Sequence, residues 1–357
     1  MDLADIARLR LRNQRLSHPD LPSPAEAVRW FGAVQSQDLP GSLHAIGLRV
    51  PGSTETSVEQ AIADKSLVRS WPMRGTIHLM PAEDARWMIN LLAPRQNARS
   101  VTVYRRAGLT PAILSHAGEV LAKELPGQRF TREELYGVLQ GAGIDTSPSG
   151  GEQRGMHMIR HVAQEGLICI TPRRGKQQTF SLFSEWVPPG RDLTGDAALA
   201  ELAERYFRSH GPATVHDFAW WTGLTVTEAR RGLEQVRDGF DSATVDGAVH
   251  WYRTPARRPR TGGPRAFLLP PYDEYTVAYA DRGAVVDPAQ LREAKYGIGP
   301  NVIVDGRIAG FWKRQVKKTK VVIDLELTQP VDDGQRAAIA GAADRYRTFL
   351  ELPDLPD

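Results

Sequence analysis

Phe130-Thr131-Arg132-Glu133-Glu134-Leu135 opens the segment that decides the fold. Thr131 and Glu134 have capping-box spacing: the hydroxyl accepts a backbone N–H, and the acid three residues on reaches back to the cap's own N–H. Phe130 stands where a staple residue belongs, and Leu135, Val138 and Leu139 give a helical apolar stripe. After a Ser/Pro/Gly stretch a second helix begins near Gly151, with Met156, Ile159 and Ala163 on one face and Gly166 to stop it. Leu167 to Ile170 is short and apolar, as a strand would be. Thr171 to Lys176 reads as a turn, and Thr179 to Phe183 as the returning strand. Two helices followed by a hairpin with a basic tip is the order of a winged helix-turn-helix.

The order recurs downstream. Thr214 and Asp217 open a helix through Phe218, Trp220 and Trp221, closed by Gly223, with the tryptophans read as core. Thr225 and Glu228 open the next helix, and Asp246-Gly247 joins two strand-like runs, a strong hairpin signal. Upstream the plan fits more loosely. A helix is expected from about Leu3 to Leu16. A second starts at Ser23-Pro24-Ala25-Glu26 (an N-cap, an N1 proline and a capping acid) and carries Ala27, Trp30, Phe31 and Val34 on one face. Pro40-Gly41 reads as the end of that helix. A helix near Ser57 to Ala63 and a hairpin from Leu67 to Leu79 around Pro72–Gly75 follow.

Residues 253–264, with three prolines, two glycines and four arginines, read as a linker. Beyond it Ala266–Leu269, Asn301–Val304, Arg307–Trp312 and Lys320–Leu327 are strand-like, and a helix from about Gly334 to Leu350 closes the chain before Pro353 and Pro356. The expected fold class is α+β, with three tandem winged helix-turn-helix units around a small antiparallel β-barrel or sheet. The expected boundaries are 1–110, 111–190 and 191–255 for the winged units, and 256–357 for the barrel-like domain with its C-terminal helix.

The 357 residues suit two or three such units, and 41% hydrophobic with 24% charged residues excludes wholesale disorder. No apolar run nears the ~20 residues of a membrane helix, and charges in every turn of the N-terminus exclude a signal peptide. The single cysteine, Cys169, excludes intrachain disulfides and multi-thiolate zinc sites. These features point to the cytoplasm. Net charge is only +3, but it is unevenly spread: Arg253 to Lys320 is net +8, and Val321 to the end is net −5. The imbalance points to a polyanion-facing side.

Gln35-Ser36-Gln37 is the most unusual local feature. Residues i and i+2 on a helix do not face each other, so these amides converge only where a helix ends. Glutamine both donates and accepts, so it can orient a water, but it cannot act as a general base. Thr76 and His78 alternate onto one face of their strand and are secondary site candidates. Asp273 and Glu274 are adjacent acids in a basic region, there to pair with arginines or to serve a site; Asp273 is taken as the candidate. Arg173, Arg174 and Lys176 at one hairpin, and Lys313, Arg314, Lys317, Lys318 and Lys320 at another, suit phosphate contact. His157 and His161 have the i, i+4 spacing of a metal pair but no third ligand, so no metal and no cofactor are expected.

Four motifs in this order, Gln35-Ser36-Gln37, Arg74-Gly75-Thr76-Ile77-His78, Leu268 to Tyr275 and Gly306 to Arg314, resemble the AlkZ/YcaQ family of bacterial winged-helix DNA glycosylases. The resemblance covers nearly the whole chain. It implies tandem winged helices around a β-barrel and excision of N7-alkylated purines, with interstrand crosslinks opened by some members. The family's catalytic signature is Gln–aliphatic–Gln in the AlkZ branch and Gln–aliphatic–Asp in the YcaQ branch. This chain is similar to the AlkZ branch, which makes Gln35 and Gln37 its catalytic residues. Ser36 departs from the aliphatic position and predicts weaker packing there. The implied protein is a nucleoid-associated monomer acting on double-stranded DNA that carries alkylated purines, without a membrane partner, in DNA repair or genotoxin self-resistance. The alternative is a non-catalytic winged-helix DNA-binding protein or transcriptional regulator.

Overall fold

The computed structural model describes residues 1–254, 265–286, 298–317 and 320–352. Most of the expected linker at 253–264, Lys318, Pro353 and Pro356 lie outside the described residues. The chain forms two compact units. The first holds Met1–Val58, Leu199–Trp221 and Thr225–Asp357; the second holds Glu59–Ala198 and Thr222–Leu224.

Helix α1 (Leu3–Asn13) opens on a reciprocal Asp2/Asp5 capping box. Helix α2 (Pro24–Phe31) is capped by the Ser23 hydroxyl on the Glu26 N–H at 3.2 Å. Glu26 turns to Arg29 and leaves the expected box half-made. Gly32 stops α2 at φ 88°, a conformation that favours glycine. A two-residue strand β1 (Val34–Gln35) follows, then α3 (Leu39–Gly47). Pro40 therefore sits in the first turn of a new helix and does not end the old one. A proline there sacrifices only an N–H that the helix start leaves unpaired. Helix α4 (Glu55–Ala63) comes next.

In the second unit β2 (Leu67–Met73) and β3 (Thr76–Pro81) form the expected hairpin. Its tip is Arg74-Gly75, both at positive φ as a tight two-residue turn requires. Helices α5 (Ala85–Arg99), α6 (Val101–Arg106) and α7 (Pro111–Glu124) lead to β4 (Phe130–Thr131), α8 (Arg132–Gly141) and α9 (Arg154–Gln164). Strands β5 (Ile168–Arg174) and β6 (Gln177–Leu182) end this segment, and Thr131 with Glu134 forms the full capping box. A single bridge pair, Arg69↔Ile170, joins the two hairpins edge to edge, so the strands run β3-β2-β5-β6-β4. Leu135, Leu139, Met158, Ile159, Ile168 and Phe180 form the core beneath. Each such side chain contributes about 1.5–3 kcal/mol by burial.

Helices α11 (Gly195–His210; α10 is the short Phe183–Trp186), α12 (Val215–Thr222) and α13 (Val226–Glu234) follow, and the Thr225/Glu228 box is formed. Strands β7 (Asp241–Val245) and β8 (Ala248–Tyr252) turn at Asp246-Gly247 as expected. The first unit is completed by an antiparallel sheet ordered β12-β11-β10-β9. Its strands are β9 (Ala266–Leu269), β10 (Asn301–Val304), β11 (Arg307–Val316) and β12 (Val321–Leu327). A one-turn helix α14 (Glu274–Val277) leaves β9, and α15 (Asp333–Phe349) ends the described fold. Leu11, Leu269, Tyr275, Ile303 and Phe311 share this core. Along β11, Ile308–Trp312 are buried, whereas Lys313, Gln315 and Val316 are exposed, so the β11–β12 hairpin runs out past its core.

Candidate active site

The two glutamines lie on the connection between α2 and α3, so the expected helix end is replaced by a helix start. The connection begins extended, and an i, i+2 pair on extended chain shares one side, which a helix would deny it. Gln35 is buried, Ser36 fully so, and Gln37 is exposed. The connection is held at three points. Asp38 caps α3 by accepting the Gly41 N–H at 3.1 Å. Ser42 donates its hydroxyl to the Leu39 carbonyl at 2.8 Å, so the Ser36 hydroxyl, 2.8 Å away, is the donor to Ser42. Ser36 thus packs into the core with its hydroxyl satisfied by Ser42.

The third hold is a residue the sequence left unassigned. Glu274, 1% exposed, accepts the Gln35 backbone N–H on Oε1 at 2.8 Å and the Trp221 indole N–H on Oε2 at 2.8 Å. His210 Nε2 lies 3.5 Å from the same Oε2. Ser209 gives its proton to the Arg205 carbonyl, so it accepts from His210 Nδ1 at 2.8 Å. Burial pushes the His210 pKa down, with Glu274 opposing it.

Asp273, the expected candidate, is fully buried and occupied elsewhere. It takes both ends of the Arg49 guanidinium, at 2.9 and 2.8 Å, and accepts the Tyr275 N–H at 2.9 Å. Arg49 also donates to the Gln14 and Ala45 carbonyls. Asp273 is therefore an anchor for the turn that presents Glu274; a paired buried carboxylate of this kind has little left for a ligand.

Thr76 and His78 sit on β3 in the second unit. His78 is fully buried; its Nδ1 donates to the Thr76 carbonyl at 3.0 Å, and its Nε2 accepts from Arg74 at 3.2 Å. That bonding fixes the neutral tautomer with its proton on Nδ1. The Thr76 hydroxyl is buried without a hydrogen-bond partner among the described residues.

The basic candidates separate. Arg173 pairs with Glu59, and Arg174 with Glu134 at 2.9 Å and with the Arg129 carbonyl at 2.6 Å. Lys176 is exposed at the tip of the same hairpin. On the other hairpin Arg314 is half-buried and donates to the Tyr346 hydroxyl, so it braces α15. Lys313, Lys317 and Lys320 are exposed. Asp38, Pro270, Pro271, Trp312 and Lys313 are among the residues lining a cleft of about 360 Å³, so one depression runs from the residue after Gln37 to this hairpin.

Among the described residues no group of three or more His, Cys, Asp or Glu side chains could hold a metal ion. His157 is engaged by Glu152 at 3.0 Å. Cys169 is fully buried, with its pKa pushed up to about 12 by burial, which makes it inert as a nucleophile. Of the tryptophan pair only Trp221 is core; Trp220 is 48% exposed and donates to the Val277 carbonyl. No described helix is long and apolar enough to cross a membrane.

Residues 28–349 match the family described as DNA glycosylase AlkZ-like, and the chain belongs to that family. It is 27% identical over 350 residues to an interstrand DNA cross-link repair glycosylase of Streptomyces sahachiroi, with 92% of this chain and 91% of the relative covered. The solved structure of the Streptomyces sahachiroi DNA glycosylase AlkZ superposes with a TM-score of 0.79 at 23% identity, covering 100% of this chain and 98% of that one. The α+β architecture with antiparallel sheets is thus shared with a solved glycosylase.

Proposed function

We propose that this protein is a monofunctional DNA glycosylase that hydrolyses the N-glycosidic bond of N7-alkylated purines in double-stranded DNA, bulky adducts and interstrand crosslinks included. The observation that carries this reading is the Gln35-Ser36-Gln37 connection: two amides at i, i+2, one buried and one exposed, on backbone fixed by Glu274, Ser42 and the Asp38 cap, in a chain of a glycosylase family.

Alkylation at N7 leaves the purine cationic. The N9–C1′ bond breaks with its electron pair going to the base, which departs neutral, and C1′ becomes an oxocarbenium-like centre. Water adds to C1′ and its spare proton goes to bulk water, so no strong general base is required. Gln35 and Gln37 orient that water and offer their amide oxygens to the developing positive charge. Thr76 is assigned a secondary contact to sugar or phosphate, and His78, fully buried with both ring nitrogens engaged, braces that strand by holding the Thr76 carbonyl. The exposed lysines of the β11–β12 hairpin, with Lys176, Arg173 and Arg174, are assigned phosphate contacts.

The helix–helix–hairpin orders at 1–110, 111–190 and 191–255 are read as winged-helix units, and 256–357 as the barrel-like part of a monomer working in the cytoplasm. Crosslink opening is supported by the Streptomyces relative, an interstrand DNA cross-link repair glycosylase, and with a role in repair or genotoxin self-resistance it is the finer part of the proposal. Incubation with duplex containing N7-methylguanine is expected to yield free N7-methylguanine and alkali-labile abasic sites. EDTA is expected to leave the rate unchanged, and borohydride to trap no protein–DNA adduct. Duplex binding with intact glycosidic bonds would favour the non-catalytic alternative.

A further inference from the structure

We propose that Glu274 is the positioning residue of this site: it touches no DNA, and it sets the place of Gln35 by holding its backbone N–H. The inference rests on the glycosidic reading for its consequence, while its geometry stands alone. Gln35 ends β1, and its N–H is the last backbone donor before the chain leaves that strand for Ser36 and Gln37. A carboxylate acceptor at 2.8 Å makes this a charge-assisted bond, about twice as strong as a neutral one. The same carboxylate is held on its other oxygen by the Trp221 indole at 2.8 Å. Its backbone is held next door, where Asp273 grips Arg49 with two bonds. Glu274 is thus gripped from two directions and delivers its Oε1 to one backbone donor of the motif. A carboxylate 1% exposed that accepts a glutamine backbone N–H and an indole N–H is costly to bury unless it serves a placement.

The two donors make the assignment testable by a single atom. Glu274→Gln keeps the shape but replaces one oxygen with an NH2. In either orientation of the amide, one of the two N–H groups faces another donor. Misplacing a positioned group by about 1 Å costs on the order of 10²-fold in rate. Trp221→Phe removes the indole donor and lets the new amide turn its oxygen to Gln35.

The test measures single-turnover excision of N7-methylguanine, duplex affinity, and hydrogen exchange of the Gln35 amide in wild type, E274Q, W221F and W221F/E274Q. The expected result has five parts. Excision by E274Q is slowed roughly 10- to 100-fold. Its duplex affinity is unchanged, and its Gln35 amide exchanges faster than that of wild type. In W221F/E274Q both rate and protection are largely restored relative to E274Q, and W221F alone is slowed less than E274Q. Wild-type excision in E274Q, or slowed excision with an unchanged Gln35 amide, overturns the proposal. Should wild type excise nothing, the glycosidic reading fails, and the amide alone decides: faster exchange in E274Q supports the placement, and unchanged exchange overturns it.

Discussion

The Gln35–Gln37 connection and the β11–β12 hairpin belong to the same unit and answer to opposite demands. The connection is short, starts from buried backbone, and is held by buried partners on both sides of Gln37: Glu274 at Gln35, Ser42 at Ser36 and Gly41 at Asp38. The hairpin leaves its core after Trp312 and carries Lys313, Lys317 and Lys320 into solvent. A group that must meet a transition state profits from fixed placement, because placement lowers the entropic part of the barrier. A group that must meet a phosphate backbone profits from reach, because its contribution comes from released counterions. On the proposed function, the first region sets the rate and the second the affinity.

Reversing Lys313, Lys317 and Lys320 to Glu together should break the hairpin's half of this contrast with the largest effect. Affinity for damaged and undamaged duplex should fall alike, and the slope of log K against log salt should drop in magnitude by about 0.9 per lost contact. Single-turnover excision at saturating enzyme should be retained. Binding titrations at several salt concentrations check this. Arg173 and Arg174 are already paired with glutamates, so reversing them should change the slope by less.

His44 on α3 joins the two regions. Its Nε2 donates to the Leu268 carbonyl at 2.9 Å, and its ring meets Trp312 and Tyr346 edge-on. Burial holds its pKa down at about 3, far below the usual 6.5. The unfolded chain takes a proton below about pH 6.5 while the folded chain refuses it. This contribution to stability is therefore complete above pH 6.5 and is lost as pH falls toward 3. The loss approaches about 1.4 kcal/mol per pH unit. Urea midpoints at pH 7 and pH 5 should differ accordingly in wild type, and His44→Gln should shrink the difference.

The smallest effect is expected at Ser36. Ser36→Val removes one hydroxyl and leaves Ser42 bonded to the Leu39 carbonyl. Lost hydrogen bond and gained apolar burial nearly cancel, so thermal unfolding should register less than about 1 kcal/mol.

Local signals were legible in the chain, and distant ones were not. Thr131/Glu134 and Thr225/Glu228 formed their boxes, and Asp246-Gly247 its turn, because each depends on neighbours within three residues. Pro40-Gly41 misled because proline suits a helix start as well as the stretch after an end. Pro94 inside α5 hid a helix of 15 residues, whereas Thr110-Pro111, an N-cap and N1 proline, was a usable signal for α7 that went unread. The Arg69↔Ile170 bridge that merges two hairpins had no local trace. At the site, the glutamines stood out by their spacing. Asp273 and Glu274 were equivalent as adjacent acids until Arg49 claimed the first and Gln35, 239 residues away, the second.

The central claim is that Gln35 and Gln37 place the water while the lysines hold the DNA. Its most direct test is single-turnover excision of N7-methylguanine by wild type, Gln35→Ala and Gln37→Ala, with duplex affinity measured on the same preparations. The account predicts that Gln37→Ala slows excision by roughly 10²-fold, the scale of losing one positioned polar group, at unchanged affinity, and that Gln35→Ala behaves alike. Wild-type rates in both variants would contradict it.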